Sequence, residues 1–165
     1  MNDERLYFAY GSNINLDQMA YRCPNATVLM PVVLSGYELT FRGGGVATVI
    51  PKKDSEVLGL MWSITPECEK SLDRYEGYPS FYHKIDVAVT DPETGKIYYV
   101  MMYEMDEKYR EPSVPSSRYF GGIIEGYIPV SYTHLHGKRA GAKHHPTACC
   151  YAKGCGKIFH RKVRR

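Results

Sequence analysis

The sequence predicts an α+β domain, in which a curled sheet of mostly antiparallel or mixed strands has a few helices packed around it. Three observations lead there. Strand-like runs outnumber helical ones, they do not alternate with helices in the rhythm of a doubly wound fold, and the two clearest helices carry their own start and stop signals. The chain has 165 residues, 44% hydrophobic and 24% charged, which suits one domain and excludes a wholly disordered, collagen-like or coiled-coil chain.

Leu6-Tyr7-Phe8-Ala9-Tyr10 is an apolar run bounded by Gly11-Ser12-Asn13, and reads as a buried strand ending in a turn. A helix follows: Asn15 caps it, Asp17 sits in its first turn, and Leu16, Met19, Ala20 and Cys23 fall at helical spacing before Pro24 ends it. Strands are predicted over Thr27–Val33, Tyr37–Arg42, Val46–Ile50 and Val57–Ile64, with Gly43-Gly44-Gly45 as a flexible turn or a close backbone approach. Thr65-Pro66 starts a second helix, whose stripe is Cys68, Leu72 and Tyr75. Gly77 is its natural C-terminal cap, so Glu76 occupies the last turn. Tyr82–Val89 and Ile97–Met105 are strands joined through Asp91-Pro92-Glu93-Thr94-Gly95. After the rigid Pro112-Ser113-Val114-Pro115, residues Tyr119, Phe120, Ile123, Ile124 and Tyr127 recur at helical spacing, although Gly121-Gly122 weakens that helix. From about Ile128 the pattern is expected to break.

Charge divides the chain in two. Residues 134–165 hold nine of the 21 Lys and Arg and none of the 18 Asp and Glu, so residues 1–133 read as the folded domain and 134–165 as a basic, poorly ordered tail. The tail offers Cys150, Cys155 and His160, with His144, His145 or Cys149 beside them, as zinc ligands. It lacks the paired Cys-x2-Cys spacing of a strong zinc motif, so no metal ligand is assigned. Its basic residues can neutralise phosphates, but only Tyr132, Tyr151 and Phe159 are there to stack on bases, which argues against a nucleic-acid partner. No run approaches the roughly 18 apolar residues of a membrane span. Five cysteines, an odd number, and an N-terminus without a basic and apolar leader point to reduced thiols and a cytoplasmic address.

Four segments carry candidate chemistry. Tyr10-Gly11-Ser12-Asn13, directly after a buried strand, is either an ordinary turn or a nest of backbone N–H groups for carboxylate or carbonyl oxygens. Glu76 is either an exposed helix-end glutamate or, facing the negative end of the helix dipole and walled off by tyrosines, a proton carrier near neutral pH. Val46-Ala47-Thr48 beside the glycine run, and Tyr119 beyond the proline-bracketed loop, are the other two. The sequence has 15 tyrosines, which suits an aromatic-walled pocket.

Taken in order, these segments resemble the gamma-glutamylcyclotransferase-like superfamily. The matching pieces are Leu6 to Asn13, Gly44 to Val49, Glu56 to Trp62, Leu72-Asp73-Arg74-Tyr75-Glu76-Gly77 with Tyr82, and Pro115 to Tyr119; the resemblance runs over about residues 5–127. It implies a small curled mixed sheet or barrel with surrounding helices. It also implies that Tyr10, Gly11, Ser12 and Asn13 hold a gamma-glutamyl group, that Glu76 is the catalytic acid/base, and that Tyr119 lies near the pocket. The implied reaction needs no cofactor: the α-amine of a small gamma-glutamyl substrate attacks its own γ-carbonyl, giving 5-oxoproline and an amine or amino acid. The rival expectations are a non-catalytic small-molecule binder on the same fold, or a nucleic-acid or zinc-binding protein acting through the tail; the retained Glu76 favours the enzyme.

Overall fold

The computed structural model describes residues 4–137. Five strands close into a barrel in the order β1 (Arg5–Ala9), β3 (Val46–Ile64), β2 (Thr27–Arg42), β4 (Tyr82–Thr90), β5 (Ile97–Met105). Closure is mixed: β1 runs antiparallel to β3 but parallel to β5, where Tyr7 faces Met101, and the remaining pairs are antiparallel. The expected curled mixed sheet is thus a closed barrel.

Consecutive buried residues show how the barrel is covered. Side chains alternate faces along a strand, yet Tyr7, Phe8 and Ala9 on β1 and Met101, Met102 and Tyr103 on β5 are all buried. Both faces of these strands are therefore packed, one into the barrel and one against helices. The helices are α1 (Leu16–Arg22), α2 (Pro66–Glu76) and α3 (Ser117–Gly137), and a 3-10 turn over Ser12–Ile14 links β1 to α1. Ile14, Met19, Leu72 and Ile123 bring the turn and the helices into the same core.

Local chemistry sets the helix ends as expected. The Asn15 side chain accepts from the Gln18 N–H at 3.1 Å and starts α1. Thr65 accepts from the Cys68 N–H at 3.3 Å, Pro66 occupies the first turn of α2, and Gly77 closes it in the left-handed conformation at φ 66°.

The structure departs from the sequence reading in three places. The four strands expected between residues 27 and 64 are two long ones, each continuous through a bend: the register shifts between Ser35, which faces Glu56, and Tyr37, which faces Pro51. A bulge of this kind looks like a break in the pattern because the extra residues leave the ladder without ending it. Tyr75, placed on the apolar stripe of α2, is 47% exposed and lies under the Arg22 guanidinium, 3.6 Å from its ring centroid. Third, the helical pattern does not break at Ile128, because α3 continues through Pro129 to Gly137 and Val130 is buried. The helix thus crosses the expected boundary between residues 133 and 134. The proposed tail ligands, from Cys149 and His144 to His160, lie outside the described residues. Among the described residues no helix is long and apolar enough to cross a membrane.

Packing explains why glycines do not prevent α3. A Cβ at Gly126 would fall 2.6 Å from Ile14 Cγ2 and 2.7 Å from the Asn15 nitrogen, so the helix backbone lies directly on the 3-10 turn. The Gly122 carbonyl accepts from Asn15 Nδ2 at 3.0 Å in the same seam. The Tyr127 hydroxyl also fastens the helix to the barrel, its one proton lying within reach of both the Tyr10 and Leu58 carbonyls at 2.9 and 2.8 Å. This seam predicts opposite outcomes for two similar changes. Gly126→Ala is expected to destabilise by about 1–3 kcal/mol, as overpacking does. Gly121→Ala, where nothing lies within 4 Å of the added carbon, is expected to stabilise by about 0.5–1 kcal/mol. Denaturant melts of the two variants check this.

Candidate active site

One end of the barrel gathers the ends of several elements. The 3-10 turn leaves β1 there, α2 arrives with Glu76, the β2–β3 hairpin delivers Ala47, and the first turn of α3 delivers Tyr119. Between them lies an open-mouthed pocket. Its lining contains Tyr10, Gly11, Ser12, Asn13, Tyr119 and Glu76, all singled out from the sequence, and Ala47, but not Val46 or Thr48, from the segment beside the glycine run. It also contains Tyr7, Tyr82 and Tyr103, which sequence reading did not assign to the site. Tyr7 and Tyr103 stand on opposite sides of the β1–β5 seam and pack edge to face, with ring centroids 5.9 Å apart. Strand alternation alone could have nominated them as inward-facing, but not as neighbours, because the parallel β1–β5 pairing joins segments more than 90 residues apart.

The hairpin between β2 and β3 turns at Gly43, Gly44 and Gly45, all at positive φ. It sets the Ala47 backbone against two tyrosines. The Ala47 N–H donates to the Tyr119 hydroxyl oxygen at 3.1 Å, and the Ala47 carbonyl accepts from the Tyr82 hydroxyl. The Tyr10 hydroxyl donates to the Tyr103 carbonyl, and the Tyr103 hydroxyl donates to Asp73 at 2.7 Å. Asp73 is itself held by Lys84 at 2.8 Å. Burial pushes the phenols of Tyr7, Tyr10, Tyr82 and Tyr103 up, and that of Tyr119 to about 12. All five therefore stay neutral at physiological pH.

Gly11 lets the turn approach the hairpin: a Cβ there would come 3.2 Å from the Ala47 Cβ and 3.8 Å from the Tyr119 hydroxyl. Because the turn's first internal bond runs from the Ile14 N–H to the Gly11 carbonyl, the N–H groups of Ser12 and Asn13 precede it and have no acceptor within the turn.

Glu76 is the single acid among the lining residues. Its Oε1 accepts from Asn13 Nδ2 at 2.8 Å, and the same amide nitrogen donates to the Tyr7 hydroxyl oxygen at 2.8 Å. Loss of water around the carboxyl raises its pKa from the usual 4.5 to about 7; the Asn13 bond and the Arg22 charge oppose that rise without cancelling it. The pocket thus holds a carboxyl able to take and return a proton near neutral pH, facing hydroxyl and amide donors that do not titrate there. Among the described residues no cluster of His, Cys, Asp or Glu could hold a metal ion.

Comparison with known proteins bears on what this arrangement is for. The family described as gamma-glutamyl cyclotransferase, AIG2-like, matches residues 7–120. A gamma-glutamylcyclotransferase of Bos taurus is 32% identical over 143 residues, covering 77% of this chain and 74% of the relative. That of Homo sapiens is 31% identical over 140 residues, with the same coverage. A solved gamma-glutamyl cyclotransferase structure superposes with a TM-score of 0.72 at 29% identity, over 88% of this chain and 92% of that one. The crystal structure of an AIG2-like protein from Mus musculus shares the fold, with a TM-score of 0.55 at 17% identity over 67% of this chain and 85% of that one. The matched span of residues 7–120 runs from Tyr7 on β1 through the Tyr-Gly-Ser-Asn turn and Glu76 to Tyr119, and so contains every residue that lines the pocket: the chain belongs to the gamma-glutamyl cyclotransferase, AIG2-like, family.

Proposed function

We propose that this chain is a gamma-glutamylcyclotransferase in which Glu76 is the general acid/base and the turn of Gly11, Ser12 and Asn13 holds a small gamma-glutamyl substrate. One observation carries the reading: the single acid lining the pocket is desolvated to a pKa of about 7 and hydrogen-bonded to the turn that would bind the substrate.

The chemistry follows from matched proton affinities. The α-amine of the substrate titrates near pH ~8, so much of it is protonated at neutral pH and cannot attack. A carboxylate with a pKa of about 7 accepts that proton at little cost, as a general base should. The freed amine attacks the γ-carbonyl of the same molecule, forming a five-membered ring and a tetrahedral oxyanion. Because the attack is intramolecular, holding the chain bent supplies several kcal/mol of the barrier. The N–H groups of the turn are suited to the oxyanion, where one well-placed donor is worth roughly 3 kcal/mol. Protonated Glu76 then returns its proton to the leaving nitrogen, the C–N bond breaks, and the ring nitrogen passes its second proton to the departing amine, so that 5-oxoproline leaves neutral at nitrogen and the amine leaves as its ammonium. Tyr119, which receives the Ala47 N–H, forms part of the pocket wall beside Gly11. The described cysteines, Cys23 and Cys68, are free thiols, which suits the cytoplasmic address we infer.

Two substitutions test the assignment. Glu76→Gln keeps the shape and the Asn13 contact but cannot carry the proton. Release of 5-oxoproline from a panel of gamma-glutamyl amides should fall at least about a hundredfold, with substrate binding retained; turnover like the wild type would remove Glu76 from the mechanism. Gly11→Val places two methyl groups beyond a Cβ already 3.2 Å from Ala47. It is expected to lose substrate affinity about tenfold or more while its circular dichroism stays native. Tight binding by the folded variant would contradict the role of the turn.

A further inference from the structure

Arg22, at the last turn of α1, lies outside the pocket lining yet bonds two residues of that lining, Ser12 and Asn13. Its Nη1 donates to Asn13 Oδ1 at 2.6 Å and to Ser12 Oγ at 3.1 Å, and its Nη2 donates to the Tyr75 hydroxyl oxygen at 2.6 Å and to Gln18 Oε1 at 2.7 Å. The Tyr75 ring lies 3.6 Å beneath the guanidinium carbon. A planar group fixed on so many sides has little freedom, and it can only donate.

That one-way character decides the orientation of Asn13. A side-chain amide has a donor end and an acceptor end, and either can face a given neighbour. Against a guanidinium only the carbonyl end is tolerated, so the NH2 end turns to Tyr7 and to Glu76 Oε1. With Oε1 engaged as an acceptor, the proton of neutral Glu76 belongs on Oε2.

We infer that Arg22 is a positioning residue for Glu76, acting through the Asn13 amide so that Oε1 is held as an acceptor and Oε2 is the oxygen that exchanges the proton with substrate. The inference rests on the reading of Glu76 as the acid/base and adds to it the residue that sets its geometry. Among the described residues Arg22 is the one cation that acts on the Glu76 carboxyl. The groups facing the Glu76 carboxyl from the neighbouring elements are the phenols of Tyr7, Tyr10, Tyr82, Tyr103 and Tyr119, and Arg22 supplies the positive charge that favours its ionised form.

The experiment measures kcat, KM and the pH profile of 5-oxoproline release in the full chain for Arg22→Met, Arg22→Lys, Asn13→Ala and the double variant Arg22→Met with Asn13→Ala. Arg22→Met should lower kcat about ten- to a hundredfold, with KM changed less than about threefold. Its acid limb should move to higher pH, because a carboxylate that loses a neighbouring cation holds its proton more tightly. On the Asn13→Ala background, above that limb, the same change should cost less than about twofold, since the residue it acts through is gone. Arg22→Lys keeps the charge but not the fork; it should keep the acid limb of the wild type and still fall short in kcat, and it serves if the methionine variant does not fold. Losses that multiply independently in the double variant, or full kcat in a folded Arg22→Lys protein, would overturn the positioning role. Glu76→Gln run beside them separates the two claims. An inactive Glu76→Gln with a silent Arg22→Met fells only the positioning role, whereas an active Glu76→Gln fells the acid/base reading as well.

Discussion

The last turn of α2 sets the Glu76 carboxyl in a pocket whose other walls come from β1, the 3-10 turn, the β2–β3 hairpin, β4, β5 and α3. Much of the site can be understood as what is needed to keep that one group out of water. Desolvation favours the protonated carboxyl and raises its pKa to about 7. The effect on stability has a definite sign. A carboxyl whose folded pKa is raised stabilises the fold fully only below its unfolded pKa of 4.5, and that contribution is lost as the pH rises to about 7. Above that, holding Glu76 ionised costs about 3 kcal/mol relative to an ordinary surface glutamate. A site that opposes the fold by this amount needs rigid walls.

The rigidity comes from the way the barrel closes. The parallel pairing of β1 with β5 brings Tyr7 and Tyr103 together, and both are fixed by further bonds, to Asn13 and to Asp73. The long β2–β3 hairpin reaches over to set Ala47 between Tyr82 and Tyr119. α3 lies on the 3-10 turn through Gly126, so the turn bearing Ser12 and Asn13 is pinned from outside by the helix that also supplies Tyr119. Five neutral phenols supply hydroxyl dipoles without adding a second titrating group near pH 7, which leaves the proton inventory of the pocket to one carboxyl.

Much of this was legible in the residues, for identifiable reasons. Thr65-Pro66 and Gly77 mark both ends of α2 by local chemistry, so the placement of Glu76 in its last turn needed no tertiary information. The apolar run from Leu6 to Tyr10, buried from Tyr7 onward, was equally local. The strands between residues 27 and 64 were legible in composition but not in continuity, because a register shift near Ser35 and Tyr37 interrupts the alternation without ending the strand. The extent of α3 was hidden behind Gly121, Gly122 and Pro129, each unfavourable in a helix taken alone; Gly126 shows that close packing on the turn decides there. Tyr75 was misplaced because a helical stripe says which residues share a face, not whether a cation will cover one of them. The pairing of Arg22 with Asn13 had no legible signal, since it depends on how α1 leaves the turn.

Titration of the Glu76 carboxyl itself tests the account most directly. Infrared difference spectra of the substrate-free protein across pH 4 to 9, with Glu76→Gln as the subtraction control, isolate the protonated carboxyl band of this one residue. The account predicts that the band persists through pH 5 and 6 and disappears with a midpoint of about 7. A midpoint near the usual 4.5 would mean that the carboxyl is solvated and already ionised throughout the neutral range. The proton exchange at the centre of the proposed mechanism would then lose its physical basis.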